Sequence, residues 1–119
     1  MKESDPIDKI RTLLEPYAQL PLECDGMTRV ITYLLKTASI PHSVFVGTID
    51  FKGKRKFYPH FWIKLGAGEI IDYRSRMWLG EDKTIPQGIF KEQPKKVSYE
   101  GEEIALPVGK TVFEILTRA

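Results

Sequence analysis

The stretch His60-Phe61-Trp62-Ile63-Lys64-Leu65-Gly66-Ala67-Gly68-Glu69-Ile70-Ile71-Asp72 decides how this chain folds. An aromatic and β-branched run leads into Gly66-Ala67-Gly68, a loop of the size that joins antiparallel strands, and a second apolar run follows. Pairing symmetric about Ala67 sets Leu65 opposite Glu69, Trp62 opposite Asp72 and His60 opposite Arg74. Facing residues share a side of the sheet, so His60, Trp62, Lys64, Ile70, Asp72 and Arg74 are expected on one side. His60 and Asp72 are then diagonal neighbours, about 7 to 8 Å apart and within reach of two side chains.

Working outward, residues 57–65 make the second strand of a meander and residues 69–74 the third. Pro59 either delays the ladder of the second strand to about His60 or confines it to an edge. Residues 43–49 read as the first strand, closed by a turn-like segment at 50–56. Upstream, Cys24, Met27, Val30, Ile31, Leu34, Leu35 and Ala38 recur at helical spacing, so a helix begins close to Cys24. An earlier stripe of Ile7, Ile10, Leu13, Leu14 and Tyr17 predicts a first helix. Asp5 suits its N-cap and Pro6 its first turn, and the stripe stops near Gln19, ahead of Pro21. Residues 75–107 show no sustained period and are expected to be mostly irregular, with one short strand near 96–99. Residues 110–118 suit a helix or, alternatively, a short strand. The order predicts an α+β domain, with two N-terminal helices packed on an antiparallel sheet.

At 119 residues the chain is sized for a single domain over 1–119, and 42% hydrophobic with 11% aromatic residues is enough for a core without staples. No stretch approaches the ~20 apolar residues of a membrane span, so no membrane partner is expected. Residues 1–5 carry acids where a signal peptide carries bases, and a cytoplasmic location is expected. A net charge of +2 does not imply a nucleic-acid partner. Lys52-Gly53-Lys54-Arg55-Lys56 reads as a solvated hairpin turn; nucleic-acid binding through it and through Lys91, Lys95 and Lys96 is the weaker alternative.

Cys24 is the one cysteine, which excludes an internal disulfide and a cysteine-based metal site and leaves a small core residue or a reactive thiol. Unpaired N–H groups and the helix dipole favour a thiolate at a helix start. Asp25 opposes this unless its carboxylate points outward. A nucleophilic cysteine needs a base, and of the two histidines only His60 has an acid, Asp72, placed to orient it. His42 follows Pro41 at the start of a strand and has none.

A cysteine opening a helix, then His60-Phe61-Trp62-Ile63, then Gly68-Glu69-Ile70-Ile71-Asp72 resembles the transglutaminase-like core of the papain-like cysteine peptidase superfamily, over about residues 20–73. The resemblance implies a helix packed on the sheet so that thiol and imidazole meet, with Cys24, His60 and Asp72 as catalytic residues. Where the family often has Ala after the histidine and Pro after the acid, this chain has Phe61 and Tyr73, which bears on the substrate cleft. Gln19 resembles the family's side-chain oxyanion donor, with Tyr17 as competitor. Trp62 is expected on the triad side, where it excludes water or stacks on substrate, and Trp78 in the core. Lys64, Arg74 and Arg76 either form a basic rim for an acidic substrate or are solvated.

The expected function is that of a small cysteine hydrolase or acyltransferase, peptidase- or amidase-like, acting on a peptide, protein or small amide or thioester substrate with no metal or organic cofactor. The alternative is a binding module on the same fold with a silent triad.

Overall fold

The computed structural model describes residues 6–118. The Pro6–Leu14 stripe forms α1, and Pro16 lies in a single 3₁₀ turn, Glu15–Tyr17, that ends it. Asp5, expected as the N-cap, lies outside the described residues. The second stripe forms α2, Cys24–Thr37, which opens on the cysteine. The strands are β1 (His42–Phe51), β2 (Arg55–Leu65), β3 (Ile70–Asp72), β4 (Gly88–Phe90) and β5 (Ser98–Ile104); two further helices are α3 (Ser75–Leu79) and α4 (Lys110–Thr117).

The strands form an α+β domain's antiparallel sheet in the order β4-β3-β2-β1-β5. Ile63 faces Ile71 and Lys64 faces Ile70, the register symmetric about Ala67. Apolar side chains alternate across this hairpin. Ile63, Leu65 and Ile71, with Val44 of β1, face α1 and α2 through Ile10, Leu14, Met27, Val30, Ile31 and Leu35. Trp62 and Ile70 face the other way, with Ile49 and Phe51, and are covered by Leu79 of α3 and by Ile85 and Val97. Burying a side chain of this size stabilises the fold by roughly 1.5–3 kcal/mol.

Pro59 does not delay the ladder with β1, which runs back to Arg55, and because β3 pairs with β2 only at Ile63 and Lys64, the strand at Pro59 is paired on one side only. Gly47 faces His60 and Ile49 faces Phe57, so Thr48 stands opposite both Tyr58 and Pro59. This bulge is one of the places in a paired strand where the missing N–H of proline is harmless. It also shifts the phase of β2. Phe57 and His60, three residues apart, come to the same side, with ring centroids 6.2 Å apart.

The segment expected to be mostly irregular supplies α3, β4 and β5, and both edges of the sheet come from it. β5 is the paired strand that only its first residues foreshadowed. Its sequence, Ser98-Tyr-Glu-Gly-Glu-Glu-Ile104, has no apolar alternation because most of it is exposed and it is held by backbone pairing to β1. Among the described residues, no helix is long and apolar enough to cross a membrane.

Gly47 faces Gly101 across β1 and β5. A Cβ at Gly47 would collide with the Glu100 carbonyl oxygen and the Gly101 Cα. Gly47→Ala is therefore expected to destabilise the fold by about 1–3 kcal/mol or more through forced backbone separation. Urea denaturation measures this, and an unchanged midpoint would show that β5 does not pair this closely.

Candidate active site

β3 ends at Asp72, and beyond it the chain turns away through Tyr73 and Arg74 into α3. Cys24, Phe61, Asp72, Tyr73 and Arg74 line one small enclosure at this corner of the sheet. α2 does not pack on the His60 side: its apolar stripe rests on Val44, Ile63 and Ile71, and its first two turns, through Cys24, Met27, Thr28 and Ile31, line the enclosure at the end of β3. The N-cap side chain does not cap this helix start. Glu23 at the N-cap makes no side-chain cap bond, Met27 N–H donates to the Glu23 carbonyl, and Gly26 N–H donates to Asp25 Oδ1 at 2.8 Å. The N–H groups of Cys24 and Asp25 are left for other acceptors. The Asp25 carboxylate points outward and lies 3.8 Å from Arg29.

His60 is fully buried, and its Nε2 donates to Asp72 Oδ2 at 2.7 Å. With Nε2 so engaged, Nδ1 is the nitrogen free to act, and it has no hydrogen-bond partner. Burial by itself would lower the His60 pKa. The charge of Asp72 and the hydrogen bond to it outweigh burial, and the nearby Cys24 adds to them, raising the pKa to about 9. The thiol thus sits close enough to act on the imidazole without an aligned hydrogen bond to Nδ1.

Asp72 is held by three donors. Besides His60, Tyr99 Oη–H donates to Oδ2 at 2.8 Å, and the Arg74 backbone N–H donates to Oδ1 at 2.9 Å. Burial first, then the Asp72 charge, pushes the Tyr99 phenol far above its ordinary pKa, so the hydroxyl keeps the proton it donates. Tyr99 carries no site signal of its own in the sequence, although residues 96–99 read as a strand. The signal that places it is its register: it faces Ile49, two residues from the Gly47 that faces His60.

Arg74 is 9% exposed, and among the described residues no carboxylate forms an ion pair with its side chain. Its guanidinium instead donates to the carbonyls of Ala18, Leu20, Leu22 and Tyr73, at 2.6 to 2.9 Å. One residue therefore fastens the segment leading into Cys24 to the strand end that carries Asp72. No basic rim forms: Arg76 donates to the Ile85 and Lys83 carbonyls, and Lys64 lies 3.5 Å from Glu92.

The remaining expected positions are distributed as follows. Trp62 is 2% exposed and offers no surface to a substrate; it packs between Phe45, His60 and Tyr99 and braces the imidazole. Gln19 is exposed and lines a larger neighbouring cavity, outside the enclosure of Cys24. Tyr17 packs its ring on Phe113, 5.8 Å away. His42 Nδ1 engages the Ile40 carbonyl, away from any carboxylate. Trp78 stacks on Phe57 at 4.1 Å, half-buried. Lys52 and Gly53 take positive φ in a hairpin turn where Asp50 accepts from Gly53 N–H.

The raised His60 pKa makes folding stability depend on pH. A folded value of about 9 against the usual 6.5 means that the contribution is complete below about pH 6.5 and is lost as pH rises through about 9. Stability is expected to fall by up to about 3 kcal/mol across that window, a decline that His60→Gln removes. Urea denaturation between pH 6 and 10 checks both; a flat wild-type profile would mean that the pair is not charged. Comparison of the chain with protein-family models, with curated proteins and with solved structures gave no match.

Proposed function

We propose that this protein is a small cysteine hydrolase or acyltransferase of the transglutaminase-like kind, acting on an amide or thioester carbonyl. The observation that carries the reading is the buried His60 imidazole, bonded to Asp72 through Nε2 and left unpartnered at Nδ1 beside Cys24. A buried N–H donor without an acceptor costs stability unless the site uses it.

In this reading His60 is an imidazolium paired with the Cys24 thiolate. The sulfur attacks the carbonyl carbon, and the π pair moves to oxygen, where the free Cys24 N–H meets it. His60 Nδ1 gives its proton to the leaving nitrogen or sulfur as that bond breaks. Water, or an amine acceptor, then loses a proton to Nδ1 and attacks the acyl carbon, and the C–S bond breaks to return the thiolate. Asp72 stays ionised throughout, fixing the ring.

The second reading, a binding module with a silent triad, is favoured by the closure of the enclosure around Cys24, which is 6% exposed. Iodoacetamide labelling at pH 6 separates the two. An activated thiol reacts faster than free cysteine, and His60→Ala slows it by at least about tenfold, within the range of general-base contributions. Labelling no faster than free cysteine and indifferent to His60→Ala would end the enzymatic reading. Partner binding or biological function that survives Cys24→Ala in a variant with an unchanged melting temperature would favour the binding module instead.

A further inference from the structure

Cys24 faces a space of about 10 Å³, close to the least that holds one water. Next to it lies a cavity of about 440 Å³, within the roughly 300–1,000 Å³ of small-ligand sites. The larger cavity is lined by the segment leading into α2, including Leu20, Leu22 and Glu23, and by Met77 and Gln87 on the far side. Only two residues line both spaces, Tyr73 and Arg74. They form the wall between them.

The two halves of that wall differ in how they are held. Arg74 is fixed by its four carbonyl acceptors and by its backbone bond to Asp72. The Tyr73 backbone carbonyl is one of those acceptors, but its half-buried ring is held by apolar packing at the edge of the helical core. A ring turning about its side-chain torsions opens the wall without breaking a hydrogen bond of the Arg74 tether.

We propose that the Tyr73 ring is the partition that decides what reaches Cys24, and that the 440 Å³ cavity behind it binds the acyl part of a small amide, thioester or short peptide. The proposal rests on the reading of Cys24 as the nucleophile. Substrate size is then set on the acyl side by one aromatic ring at the position following the acid. The opposite rim carries Met77, 47% exposed, an apolar side chain suited to the alkyl portion of such a group.

Two reagents with the same reactive group, iodoacetamide and a fluorescein-bearing iodoacetamide, test the partition. The ratio of their second-order rates at Cys24 cancels the intrinsic reactivity of the thiol. Tyr73→Ala is expected to raise the relative rate of the bulky reagent by about tenfold or more, and Tyr73→Phe, which restores the ring, to bring the discrimination back. Met77→Trp, which fills the cavity from the far side, is expected to slow the bulky reagent selectively. A ratio unchanged in Tyr73→Ala, or, should that variant fail to fold, unchanged in Met77→Trp, would overturn the proposal. Failure of the nucleophile reading is seen separately, in an absolute iodoacetamide rate that His60→Ala does not alter.

Discussion

The burial of the Asp72 carboxylate is the constraint on which the rest of this corner of the molecule depends. A carboxylate out of water is tolerated only where donors replace its hydration. Here they come from three directions: His60 from β2, Tyr99 from β5 and the Arg74 backbone from the chain beyond β3. β5 lies on the far side of β1 from β2, so the tyrosine reaches across the sheet. The aromatic packing follows from the same demand, because Trp62 fills the space between His60 and Tyr99.

Arg74 extends the constraint from the carboxylate to the thiol. A buried guanidinium needs acceptors as much as a buried carboxylate needs donors. The irregular stretch before α2 supplies them as main-chain carbonyls that no helix or strand uses. The position of Cys24 relative to Asp72 is thereby set by backbone groups.

The part of this arrangement legible in the sequence was the local part. The Gly66-Ala67-Gly68 loop fixed the β2–β3 register, and the stripe from Cys24 to Leu35 fixed the start of α2, because both signals are periodic over short distances. Three features stayed hidden for physical reasons. β5 is mostly exposed and pairs through its backbone, so its side chains carry no alternation. Arg74 reads as a surface cation because three of its four acceptors lie more than fifty residues away in the chain. Hairpin parity assigns Trp62 to the His60 side, but its burial depends on Tyr99 and Phe45, which reach it from β5 and β1.

The bulge at Tyr58 and Pro59 has a consequence for how this hairpin tolerates change in length. The two halves of β2 each turn aromatic rings to one side, Phe57 before the bulge and His60 and Trp62 after it, and they stay in phase only because two residues face Thr48. Deleting either would leave Phe57 and His60 two residues apart in an unbroken alternation, still on the same side and still opposite Ile49 and Gly47, so this is the place in β2 where the hairpin can lose one residue without turning a face outward. The bulge absorbs the extra residue, so both halves of β2 keep one phase against β1. β1 sets that phase along the whole strand, β3 joins it only at Ile63 and Lys64, and His60 stands where the alternation resumes.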